Sequence, residues 1–244
     1  MNWPSNQLYL WKRRVRDPAF TTMLVLQVLI IFSTPLATMG LERLRETLQL
    51  LLLVFTLLVC LISRGPIAAT LAISAFIADS VGYVLDLVAP SNISLMLGYT
   101  GSLGAFILAS YALADAVLAP GRVTAHRVRG AIALYLNIGL MFGAIYRLIW
   151  FFIPDSLSNI PSGTSWPAGG TILYFSFVTL TSTGFGDVVP VHPLVRTLAN
   201  VEAIIGQLYP ATLLARLITL ELRGHRRAIL VGHRRGSRSP RVDG

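Results

Sequence analysis

The stretch from Thr179 to Pro190, TLTSTGFGDVVP, sets hydroxyl side chains at Thr179, Thr181, Ser182 and Thr183, an aromatic ring between two glycines, and a carboxylate at Asp187. What this run offers chemically is mostly backbone. Gly184 and Gly186 accept backbone angles closed to other residues, so successive carbonyls can be turned to one side. Rings of such carbonyls, contributed by several chains around one axis, can replace the water shell of a cation. Thr181 and Ser182 add hydroxyl oxygens near the inner end, and Asp187 sets a carboxylate at the outer mouth, where it concentrates cations. The chemistry is that of a path for a dehydrating cation.

Such a path needs an apolar surround, and the composition supplies one. Of the 244 residues 54% are apolar and 13% are charged, about half the charge of a soluble domain, where roughly a quarter of residues are charged. Mean hydropathy is +0.67. The apolar residues come in blocks approaching or exceeding the roughly 20 residues that a spanning helix needs. They predict an all-α integral membrane protein with six transmembrane helices at about Phe20–Met39, Leu48–Ser63, Pro66–Val88, Ser94–Leu118, Ala131–Ile153 and Leu194–Leu220. Between the fifth and sixth lies a shorter apolar run, Gly169–Leu180. At 1.5 Å per residue it covers about 18 Å, too little for a hydrocarbon core of about 30 Å. It reads as a re-entrant helix, with Pro167 in its first turn and its negative carboxyl end aimed towards the axis. The filter loop that follows is non-helical, which at membrane depth is tolerated only where protein buries it or water lines it.

The net charge of +9 is placed for topology rather than for nucleic acid. Lys12, Arg13, Arg14 and Arg16 precede the first block, Arg122, Arg127 and Arg129 share an internal loop, and seven arginines from Arg223 to Arg241 form the tail. This is the positive-inside pattern. It sets both termini in the cytoplasm of a multi-pass protein of the cell membrane, with anionic lipid as a partner for the basic tail. The domains read as a basic segment 1–19, a four-helix peripheral domain 20–129, a pore domain 130–222 and a disordered basic tail 223–244. Cys60 is the single cysteine, which excludes an intrachain disulfide. No Gly-rich nucleotide loop, metal-ligand cluster or nucleophile–base arrangement is present, so no enzyme activity and no cofactor are expected.

TLTSTGFGD resembles the potassium-channel signature, T-x-T-T-V-G-[YF]-G-D, preceded by a pore helix and followed by a lining helix. The resemblance covers about Ala131 to Leu220, and the six-span layout is similar to that of small bacterial channels of that family. It implies a selectivity filter of Ser182, Thr183, Gly184, Phe185 and Gly186 binding K⁺, with Thr181 supporting it from just inside and Asp187 at the outer mouth. It also places a hinge glycine at Gly206. Pro210, one turn later, removes a helix hydrogen bond and can add a kink. Three departures stand out. Ser182 replaces threonine, Thr183 replaces valine or isoleucine with a hydroxyl that needs a partner, and Tyr174 and Phe175 stand where many relatives brace the filter with tryptophans.

The remaining polar residues refine this expectation. The fourth span carries no arginine, so steep voltage sensing is not expected. Asp79, Asp86 and Asp115 lie within spans and should face protein or water, paired with polar groups or acting in ion or proton sensing. Glu202 either braces the pore helix or faces the ion, and Gln207 is open between the two. Arg147 and Arg196 are expected to snorkel at the interface, and His192 to sit in a solvated loop. One pore loop cannot encircle an ion, which makes the expected assembly a homotetramer conducting K⁺ passively. The alternatives are a weakly selective cation channel and a non-conducting membrane subunit.

Overall fold

The computed structural model describes residues 21–33, 42–63, 66–89, 91–118, 125–160 and 165–236. Among them the regular structure is helical: α1 Thr21–Ser33, then α2 Glu42–Ser63, α3 Pro66–Val88, α4 Asn92–Leu118, α5 Ala125–Phe152, α6 Ser165–Leu180 and α7 Pro193–Gly236. A single antiparallel bridge pairs Leu157 with Pro190. Three helices are long and apolar enough to cross a membrane, over Ile67–Val88, Asn92–Asp115 and Arg127–Phe152, while the apolar parts Thr21–Ser33, Thr47–Leu58 and Gly169–Leu180 are shorter. By length and composition, then, three of the expected spans qualify among the described residues. The segments 1–19, 34–41 and 237–244, with Arg122 and the Cys60 side chain, lie outside what the structure describes.

Helix ends depart from the apolar blocks in one direction. α3 matches its block, but α2 begins at Glu42 and α5 at Ala125, several residues before hydropathy rises. A block of apolar residues measures thickness of hydrocarbon, whereas a helix continues wherever propensity allows, and Glu, Arg, Leu and Ala all favour it. Arg127 and Arg129, expected in an internal loop, are therefore in the first turns of α5, where Arg129 Nη1 donates to Thr21 Oγ1 at 3.1 Å. The tail is corrected for the same reason. Residues 223–236, expected to be disordered, continue α7, because adding a residue to an existing helix avoids the nucleation cost. The start of α4 is set by a capping box that hydropathy does not register: Ser94 N–H donates to Ser91 Oγ at 3.2 Å and Ser91 N–H to Ser94 Oγ at 3.1 Å.

Packing is graded. α3 lies closest against α4, at a crossing where a Cβ on Gly82 would come within 2.5 Å of the Gly98 backbone nitrogen. Small residues let membrane helices approach to this degree. The main core joins α1, α2, α4, α5 and α6 through Met23, Leu26, Ile30, Leu52, Phe106, Leu113, Leu134, Leu140 and Leu173. At its centre Asn137, fully buried, ties three helices together. It accepts from Gln27 Nε2 at 3.1 Å and donates to the Phe106 carbonyl and Ser110 Oγ, both at 2.8 Å. Asp79 and Asp86 follow the polar-pairing expectation, with Gln49 Nε2 at 3.5 Å and Ser94 Oγ at 3.2 Å respectively.

Interhelical hydrogen bonds in membranes contribute about 0.6 to 1.7 kcal/mol each. Asn137→Leu, which removes three of them and leaves the Gln27 amide unpaired, is expected to lower the thermal stability of the detergent-solubilised protein by about 1–3 kcal/mol. An unchanged melting curve would show that the α1–α4–α5 junction rests on its apolar contacts alone.

Candidate functional site

α6 runs antiparallel to α5, as four successive contacts show. Arg147 Nη2 reaches the Gly169 carbonyl at 3.4 Å, Gly143 faces Leu173, Ser176 Oγ lies 2.8 Å from the Gly139 carbonyl, and Tyr135 Oη reaches the Leu180 carbonyl at 3.4 Å. α7 also runs antiparallel to α5, from Glu202 beside Tyr146 to Tyr209, whose hydroxyl donates to the Ala131 carbonyl at 2.9 Å. Sixteen residues of α6 extend about 24 Å, ending deep beside α5. The chain then turns and climbs back to the Phe152 end.

That return is residues 181–187. Ser182, Gly184 and Gly186 have φ of 54°, 58° and 78°, while Thr183 and Phe185 between them stay out of the left-handed region. Alternation of hand turns consecutive N–H groups to one side of the strand and the carbonyls to the other. Two of the three left-handed positions are glycine. Ser182 is not, and an L-residue held there stores about 1–2 kcal/mol. The base of the strand is tied to α6: Thr181 N–H donates to the Phe177 carbonyl at 3.0 Å, Ser182 N–H to Thr179 at 2.9 Å and Thr183 N–H to Val178 at 2.9 Å. Thr181 Oγ1 donates to the Phe177 carbonyl at 2.7 Å, which leaves Thr183 to donate to Thr181 across 2.8 Å. The hydroxyl at the position where relatives carry valine thus has its partner.

The upper end is tied to the loop after α5. Asn159 Nδ2 donates to the Asp187 carbonyl at 2.8 Å, Ser158 N–H to Val189 at 2.9 Å and Val191 N–H to Ser156 at 3.0 Å. Arg196 Nε donates to the Pro190 carbonyl at 2.9 Å, so it holds the turn rather than the interface. His192 is part of the machinery too. Its Nδ1 accepts from Leu194 N–H at 3.2 Å, which caps α7.

Tyr174 takes the bracing position. Its ring stacks on Phe185, with centroids 6.5 Å apart and planes 7° from parallel, and its hydroxyl lies near the Asp187 side chain. Two residues on in α6, Ser176 joins a buried cluster. Glu202, with no exposed surface, has Oε1 2.5 Å from Ser176 Oγ and Oε2 2.7 Å from Tyr146 Oη. Of its two expected roles, Glu202 takes the brace. Gln207 is exposed.

Gly206 sits in unbroken helix with its Cα against the end of α6, where a Cβ would run into the Leu180 carbonyl. Pro210 lies inside α7 on an exposed face. Arg147 has partners within the protein. Its guanidinium lies over the Tyr99 ring at 5.3 Å, between α4 and the first turns of α6.

In the single chain residues 181–187 are exposed, and Phe185 is 70% exposed. Val189 and Val191 just after them are exposed as well, and Val201, Ile204 and Leu208 form an exposed apolar stripe on α7. The strand is gripped from behind and bare in front.

A comparison with protein families matches residues 134–222 to the family described as "Ion channel". The matched segment, somewhat over a third of the chain, begins within α5 and takes in α6, the strand and most of the described part of α7. It is also the part that resembles the potassium-channel pore loop. No curated protein matches the chain. Within the matched segment the sequence pattern anticipated the short helix and the non-helical run that follows it. It did not anticipate the partners from outside the motif, Asn159, Tyr146 and Ser176. The aromatic at Tyr174, noted as a departure, was their one visible sign.

The close approach at Gly206 yields a direct test. Overpacking typically costs about 1–3 kcal/mol, and Gly206→Ala is expected to lower thermal stability by that order. Gly98→Ala, where a Cβ meets nothing within 4 Å, should show no loss, since alanine favours helix. Equal behaviour of the two variants would contradict the contact with Leu180.

Proposed function

We propose that the chain is a potassium channel, conducting K⁺ passively across the cell membrane as a homotetramer. The observation that carries this reading is the strand of alternating hand at Ser182, Gly184 and Gly186, held along its back by α6 and the α5 loop and bare on the side that bears its carbonyls. In hydrocarbon such backbone needs partners. Four copies around one axis would give each carbonyl ring a dehydrated cation to coordinate, and would cover exposed Phe185, Val201, Ile204 and Leu208. Thr181 to Gly186 form the K⁺ path, and the Asp187 carboxylates gather cations at its mouth. α1 to α5 and α7 supply six spans and α6 the re-entrant helix, with both termini cytoplasmic. The basic residues beyond Leu222 meet anionic lipid.

Gating is proposed at α7 near Gly206 and Pro210, where the interior of the helix lacks a backbone N–H donor. Because Gly206 rests on the Leu180 carbonyl, bending there would also move the base of the filter.

A weakly selective cation channel is the second reading. It is favoured by the strained Ser182 and by Thr183, which adds a hydroxyl where relatives have an apolar side chain. Bi-ionic flux from liposomes holding the purified protein separates the two. The expected result is K⁺-driven flux that Ba²⁺ blocks, with little Na⁺ leak, and a K⁺ preference that Thr183→Val preserves or raises. Equal K⁺ and Na⁺ flux would assign the second reading instead.

A further inference from the structure

The cluster at Glu202 contains one more contact than its hydroxyls can serve. Three oxygen–oxygen approaches meet there: Tyr146 Oη to Glu202 Oε2 at 2.7 Å, Ser176 Oγ to the Gly139 carbonyl at 2.8 Å, and Ser176 Oγ to Glu202 Oε1 at 2.5 Å. Each needs a hydrogen between the two oxygens. Tyr146 supplies the first. A carbonyl only accepts, so Ser176 must supply the second, and a serine hydroxyl has one hydrogen. The third, the shortest, has none left unless the carboxyl brings its own.

We propose that Glu202 is a neutral carboxylic acid that donates its proton to Ser176, and is thereby a positioning residue for the pore helix. The proton on Oε1 points to Ser176 Oγ, Ser176 passes its hydrogen to the Gly139 carbonyl, and Oε2 accepts from Tyr146. Every hydroxyl then donates once, and α5, α6 and α7 are joined by one directional chain. The setting agrees. The side chain has no exposed surface, its partners are hydroxyls rather than cations, and an unpaired carboxylate is costly in such a place. Ser176 lies one turn before Leu180, whose carbonyl receives Tyr135 and packs on Gly206. The acid therefore fixes the segment from which the strand 181–187 departs.

The protonation rests on geometry alone, whereas its effect on conduction rests on the channel reading, and two measurements keep them apart. The first is the infrared difference spectrum between the full-length wild-type chain and Glu202→Gln. A protonated-carboxyl C=O band, resolved above the amide bands, should be present in wild type and absent in the variant. It should shift in Ser176→Ala, which removes the acceptor of its proton. The same spectrum in both proteins would overturn the proposal. The second is K⁺ flux from liposomes. Glutamine offers a donor and an acceptor in the same positions, so Glu202→Gln should stay within about threefold of wild type, while the shorter Glu202→Asp should lose about tenfold or more. Equal losses in both would overturn the positioning role. Wild-type protein that passes no K⁺ would sink the channel reading and leave the infrared result to decide the proton.

Discussion

Backbone without helix has to find partners for its carbonyls, and in an apolar surround water does not provide them. Residues 181–187 are such backbone, and the pore-domain fold is organised around holding them. α6 is short because it must stop where the strand begins, and α7 approaches closely because Gly206 carries no side chain against Leu180. The loop after α5 contributes Asn159, Ser158 and Ser156 to the top of the strand. Left-handed backbone at 182, 184 and 186 then turns the unpaired groups to one side. That side is bare in one chain, which is why the proposed function needs several.

The grip is stiff at the back for a physical reason. Two contacts cross between helices at buried hydroxyls, one ring stacks on another, and a carboxyl with no exposed surface closes the triangle between α5, α6 and α7. Groups of this kind are expensive to leave unpaired, so the arrangement resists small displacements more than apolar packing would. Tyr174 shows how one side chain can make both an apolar and a polar contact. It offers a flat ring to Phe185 and a polar tip to Asp187, the same two faces of an amphipathic aromatic. Arg147 extends the connection outward, since it touches both Tyr99 of α4 and the Gly169 carbonyl of α6. It thereby joins a peripheral helix to the start of α6.

Much of this was legible in the sequence. The glycine spacing around Phe185 fixed the left-handed positions 184 and 186, since only those residues adopt such angles freely. Pro66–Val88 matched its helix because block and helix happen to end together. The ends of α2, α5 and α7 were not legible, because hydropathy falls at the edge of an apolar block while the helix does not. Ser182 in the left-handed region, the proton count at Glu202 and the contact under Gly206 were not legible either. The last two depend on residues tens of positions away that no local pattern brings together.

The central claim is that the strand works only when copies share it, and mixing chains tests that most directly. Wild-type chains would be co-reconstituted with Gly184→Ala chains, which carry a side chain where φ is 58° and should not conduct. K⁺ flux per liposome would be followed as the wild-type fraction falls. If four chains build one path, flux should fall with about the fourth power of that fraction. A fall in simple proportion would mean that each chain conducts alone, and would contradict the account.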